Sequence, residues 1–108
     1  MGAMNMAIID VKKSNFEQEV LHSQQPVLID FFSTWCLPCM LLSPIIQEIS
    51  TENTNLKVCR INVEEELELV EKFKVMSIPT LVYMDDGTIK EQLVGFNGKD
   101  EILKMFKS

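Results

Sequence analysis

Two cysteines stand two residues apart in Trp35-Cys36-Leu37-Pro38-Cys39, where a strand-like run meets a helix-like run. Ahead of them, Pro26-Val27-Leu28-Ile29-Asp30-Phe31-Phe32 is short, nearly all apolar and rich in β-branched and aromatic residues, the pattern of a buried strand. The run from Cys39 to Ile49 is longer and dominated by Leu, Ile and Met, and it predicts a helix. A cysteine at the start of that helix faces unpaired backbone N–H groups and the positive end of the helix dipole, so its thiolate is stabilised. Cysteines spaced i, i+3 lie on one helical face. Such a pair can close a disulfide, or one thiolate can attack a substrate disulfide while the other resolves the mixed intermediate. Cys36, nearest the helix start, is the candidate nucleophile; Cys39, one turn in, is expected to be more buried and to resolve. Pro38 suits the first turn, where no helical N–H bond is lost.

The 108 residues make one domain, and the predicted elements run βαβαβαββα. Ala7-Ile8-Ile9-Asp10-Val11 predicts the first strand. Ser14, with Glu17 three residues later, has capping-box spacing and predicts the start of a helix carrying Phe16, Val20 and Leu21 on one face. Alternation over 56–63 predicts a strand, and Leu67, Val70 and Phe73 predict a helix over 64–74. Leu81 to Met84, the Asp85-Asp86-Gly87 turn signal and the run from Ile89 to Val94 predict a hairpin. A last helix carries Ile102, Leu103 and Phe106. Pro44 is expected to kink the cysteine helix. The expected architecture is α/β: a mixed, mostly parallel sheet of about five strands, flanked by four helices on both faces.

A net charge of −6, with no Lys/Arg run, argues against nucleic acid or an anionic membrane surface as a partner. No apolar run approaches the length of a membrane span, and the N-terminus lacks a signal-peptide pattern, which makes the cytoplasm the expected location. Met1-Gly2-Ala3 reads as an expression scar before a native start at Met4 or Met6, leaving 4–108 as the domain. Three cysteines do not suggest a secreted disulfide framework. A zinc site would have to recruit Cys59 and His22, the sole histidine, and neither forms a close-spaced pair. Cys59 by itself reads as a small buried hydrophobe.

From about Ala7 onward the chain resembles thioredoxin. The residues that carry the resemblance are Val27-Leu28-Ile29-Asp30-Phe31, Trp35-Cys36-x-Pro38-Cys39, Pro44, Ile78-Pro79-Thr80, Asp86-Gly87 and Val94-Gly95. The resemblance implies a thioredoxin fold and a redox-active Cys36-Cys39 disulfide. It also implies a cis peptide before Pro79 facing the cysteines, and a buried Asp30 that assists proton transfer at Cys39. Burial should raise the Asp30 pKa toward neutrality and suit it to act as a base. Trp35, Leu37, Pro38, Ile78, Pro79, Gly95 and Phe96 are the implied substrate-binding residues, with Met40 and Met76 as further candidates for the apolar rim. The implied activity is reduction of protein disulfides by a chain that holds no cofactor; no metal is expected, and a monomer is the default expectation. A thioredoxin reductase drawing on NADPH would recharge it, within electron transport and cell redox homeostasis.

Three departures stand out: Leu37 where Gly is usual, Met40 in place of a basic residue, and Phe32 in place of a common Trp. They leave two alternatives, a pair tuned toward oxidation or isomerisation, and a binding or holdase module without turnover. Arg60 is open too, as a solvated edge cation or an influence on Asp30.

Overall fold

A computed structural model describes residues 8–106; the first residue of the expected strand, Ala7, and the Met1-Gly2-Ala3 segment lie outside them. Five strands form one sheet in the order β1-β3-β2-β4-β5: β1 (Ile8–Asp10), β2 (Val27–Phe32), β3 (Lys57–Asn62), β4 (Thr80–Asp85) and β5 (Thr88–Val94). β3 pairs in parallel with both β1 and β2, while β4 runs antiparallel to β2 and to β5. The helices are α1 (Lys13–Phe16), α2 (Leu37–Glu52), α3 (Leu67–Phe73) and α4 (Lys99–Leu103). The element order and the mixed sheet agree with the expectation.

Side chains alternate across the sheet and divide the core in two. Val27, Ile29 and Phe31 of β2, with Cys59 and Ile61 of β3, meet Phe16, Val20, Leu69 and Phe73 on one face. Leu28 and Val58 meet Leu42, Ile46, Ile49 and Ile102 on the other. α2 and α4 therefore cover the face toward which Asp30 and Arg60, two residues beyond Leu28 and Val58, also point.

Several local details depart from the sequence pattern. The first helix does not begin at Ser14. The Lys12 N–H donates to Asn15 Oδ1 at 2.7 Å and the Asn15 N–H to the Lys12 carbonyl at 3.1 Å, so Asn15 closes the turn and Lys12 is the cap. Glu17 then falls in a π-helical turn, Glu17–Leu21, marked by the His22 N–H donating to the Glu17 carbonyl. The third helix starts at Leu67 because Asn62 takes residues 64–66 into a turn: its Oδ1 accepts the Glu64 N–H, and its carbonyl those of Glu65 and Glu66. Pro44 lies inside α2, as the sequence places it. Asp86 and Gly87 both take positive φ, 56° and 76°, as the tight β4–β5 hairpin requires.

Candidate functional site

β2 ends at Phe32, and four residues carry the chain from it into α2. Ser33 holds that loop: its hydroxyl accepts the Trp35 N–H at 3.1 Å and its carbonyl the Cys36 N–H at 3.3 Å. Cys36 is the N-cap of α2, Leu37 the first helical residue and Pro38 the second. The Cys36 Sγ accepts the Cys39 N–H at 3.1 Å, the capping interaction that the first turn of a helix offers. Cys36 and Cys39 form a disulfide, with Cα atoms 5.2 Å apart. Cys36 is half-buried and Cys39 buried, as their order on the helix predicts.

The sheet register sets the other named residues around this end of β2. Phe31 pairs with Thr80, the first residue of β4, which pairs in turn with Val94, the last of β5. Pro79, preceding Thr80, and Gly95, following Val94, therefore sit at the end of the sheet from which β2 leads to Cys36. The Gly95 N–H donates to the Pro79 carbonyl at 2.8 Å, and its φ of +88° lies in the left-handed region that glycine tolerates. The Ile78-Pro79 bond is cis; Pro79 is buried and Ile78 half-buried. Trp35, Leu37, Pro38 and Phe96 are exposed. Asn97 supports the loop after β5 by donating from Nδ2 to the Gly95 carbonyl.

Asp30, the one buried carboxylate among the described residues, is only 1% exposed. Loss of solvent pushes its pKa up to about 6, and the Arg60 guanidinium acts in the opposite direction. Arg60 stands opposite Asp30 in the β2–β3 register, with Nε 3.9 Å from Asp30 Oδ2. Its guanidinium carbon lies 3.9 Å from the centre of the Phe32 ring. Arg60, Phe32, Ser33, Thr34, Cys39, Met40 and Ser43 line one cleft of about 420 Å³. Of the two sequence readings of Arg60, the structure thus supports the influence on Asp30. Ser33 and Asn97 carried no sequence signal, because each acts through a loop hydrogen bond that no periodicity encodes.

Cys59 is fully buried on the opposite face of the sheet from Asp30, and burial pushes its thiol up to about 12. His22 lies on the surface, 3.7 Å from Glu17. The two recruits a zinc site would need are therefore not brought to the Cys36-Cys39 pair. Among the described residues no group of three or more His, Cys, Asp or Glu side chains is placed to hold a metal ion.

The family model described as Thioredoxin matches residues 7–108. The chain belongs to the thioredoxin family. It is 41% identical over 99 residues to a thioredoxin from Mycobacterium bovis, covering 91% of this chain and 85% of the relative. A thioredoxin from Pseudomonas aeruginosa is 35% identical over 100 residues, 92% of this chain and 93% of its own length. A bifunctional thioredoxin reductase/thioredoxin from Mycobacterium leprae is 38% identical over 97 residues, which cover 89% of this chain and 21% of that larger protein. With the Cys36-Cys39 pair in place, the chain is a dithiol-disulfide oxidoreductase of the thioredoxin type.

Proposed function

We propose that the chain reduces protein disulfides, with Cys36 as attacking sulfur, Cys39 as resolving sulfur and Asp30 as the proton acceptor that serves Cys39. The observation that carries this reading is the Cys36 Sγ at the N-cap of α2, accepting the Cys39 N–H. The same N–H and the helix dipole favour negative charge on that sulfur in the reduced protein. In the first step the Cys36 thiolate bonds to one sulfur of the substrate disulfide, whose S–S bond breaks, and the departing thiolate takes a proton. In the second, Cys39 loses its proton to Asp30 and attacks Cys36 Sγ; the mixed disulfide breaks and the second substrate thiol leaves. The substrate gains two electrons and two protons, and the Cys36-Cys39 disulfide is formed. An Asp30 carboxyl near pH 6 is poised to accept a proton at neutral pH.

Trp35, Leu37, Pro38, Ile78, Pro79, Gly95 and Phe96 form the surface that receives the substrate segment. The segment before Pro79 is the part of that surface that pairs with an extended substrate peptide. A thioredoxin reductase returns the pair to the dithiol with electrons from NADPH, so this chain holds no cofactor of its own. The fused arrangement of the Mycobacterium leprae relative, whose name joins reductase and thioredoxin, supports that partnership. The protein works as a monomer in the cytoplasm, in electron transport and redox homeostasis; no helix among the described residues is long and apolar enough to cross a membrane.

The test couples the chain to NADPH, a thioredoxin reductase and a disulfide-bonded protein. NADPH consumption that depends on both the chain and the substrate is the expected result. Reduction of the substrate by the chemically reduced chain, without any reductase-driven turnover, would overturn the reductase partnership. An equilibrium potential well above the roughly −270 mV of reducing thioredoxins would instead identify a pair tuned toward oxidation.

A further inference from the structure

The outward face of α2 is apolar over the turns where a surface helix is ordinarily polar. From residue 37 to residue 42 the chain reads Leu-Pro-Cys-Met-Leu-Leu, with no charged or amide side chain. The inward face accounts for Cys39 and Leu42, which are buried and continue through Ile46 and Ile49. Leu37, Met40 and Leu41, at i, i+3 and i+4, share the opposite face and are 63%, 60% and 59% exposed. Exposed Pro44 extends the strip by another turn, after which the exposed positions become Gln47, Glu48, Thr51 and Glu52.

Neither folding nor helix propensity requires this strip: the core is complete without it, and Lys, Gln or Glu would serve the helix equally well. A contiguous run of exposed apolar side chains marks a contact surface. Its position selects the occupant. The strip begins at the residue after Cys36, and exposed Trp35 lies immediately before Cys36. A substrate cysteine bonded to Cys36 brings its own chain neighbours against the surface that surrounds that sulfur. Met40 also lines the cleft that reaches Cys39 and Arg60, so the strip is continuous with the reacting pair.

We propose that Leu37, Met40 and Leu41 form a docking strip that makes this oxidoreductase prefer protein disulfides flanked by apolar side chains. A charged flanking residue laid against the strip would lose water and gain no partner, since the strip offers neither charge nor hydrogen-bonding side chain. An apolar one removes further apolar surface from water. The inference rests on Cys36 as the attacking sulfur.

The test compares kcat/KM for three disulfide-bonded peptides that differ only in the residues flanking one cysteine, Leu, Glu or Lys. The full chain is expected to favour the Leu peptide about tenfold over both charged ones. Met40→Lys and Leu41→Lys are each expected to cut that preference about threefold, the double variant to abolish it, and Met40→Gln to have a smaller effect. All these positions are exposed, so the fold tolerates the changes. A preference that survives in the double variant overturns the proposal. So does an order of Lys, Leu, Glu, which would follow the net charge of −6. Sedimentation of the same proteins covers the remaining occupant: a dimer that the double variant dissolves, with peptide preference unchanged, would assign the strip to self-association. The role of Cys36 is read separately, from loss of turnover of all three peptides in Cys36→Ser.

Discussion

Asp30 and Arg60 stand opposite one another across β2 and β3, 3.9 Å apart, on the face that α2 covers. That separation is an ion-pair distance and not a hydrogen bond. Among the described residues neither Asp30 Oδ1 nor Arg60 Nε has a hydrogen-bond partner. Burial outweighs the attraction of the Arg60 charge, and the Asp30 pKa is pushed up to about 6.

Removing the guanidinium charge should move that value further up. In Arg60→Met the Asp30 carboxyl is expected to titrate about one pH unit higher. The pH midpoint of mixed-disulfide release should rise with it. Carboxyl ¹³C NMR of Asp30 measures the first and rapid-quench kinetics the second; an unmoved titration would mean that Arg60 does not act on Asp30.

The raised pKa is also a statement about stability. Below about pH 3 Asp30 is protonated in both the folded and the unfolded chain, and the fold carries no penalty from it. As the pH rises from its ordinary value of 3.8 through about 6, the unfolded chain releases the proton first and stability falls. The loss levels off above pH 7, at about 2 to 3 kcal/mol for two pH units. Asp30→Asn should therefore be more stable than the wild type by about that amount at pH 7. The advantage should vanish near pH 3, below the ordinary pKa of 3.8, and release of the mixed disulfide should slow at neutral pH. Urea unfolding at several pH values checks this; a difference that does not change with pH would contradict it.

Cys59 shares the interior with Ile29 and Phe73, its thiol pushed up to about 12. In the reduced native protein an alkylating reagent at pH 8 should label Cys36 and leave Cys59 untouched until the chain unfolds. Mass spectrometry of the labelled protein decides, and fast labelling of Cys59 would contradict its burial.

Phe73 ties three elements together: its ring centre lies 5.7 Å from that of Phe16 and 5.3 Å from that of Phe31. Phe73→Ala should cost about 3 to 5 kcal/mol, because the cavity is bounded by the sheet and by two helices that cannot collapse into it together. The midpoint of urea unfolding measures this, and a loss below 1 kcal/mol would show that the cluster repacks.

Much of this was legible in the residues, for a physical reason. The β2–Cys36–α2 junction and the closing hairpin are local patterns, and period, length and turn chemistry report local structure directly. The ladder order β1-β3-β2-β4-β5 and the register that sets Asp30 against Arg60 are long-range pairings, and no window of sequence contains both members. The start of α1 was misplaced because Ser14 and Asn15 are both cap formers, and Asn15 reached the Lys12 N–H first by closing its turn from inside the helix. The π turn at Glu17–Leu21 changes a hydrogen-bond step without changing residue type, so it left no trace in the pattern. Leu37 and Met40 read from the sequence as substrate-surface residues, whereas the exposure of Leu41 beside them depends on how α2 packs on the sheet, which no local pattern reports.

The most direct measurement of the account is a trap. The reduced Cys39→Ser protein is mixed with a disulfide-bonded protein, and the product is analysed by non-reducing electrophoresis and peptide mass spectrometry. The account predicts a long-lived mixed disulfide joined at Cys36, with turnover lost. A Cys39→Ser protein that reduces the substrate at the wild-type rate, or an adduct joined at Cys59, would contradict it.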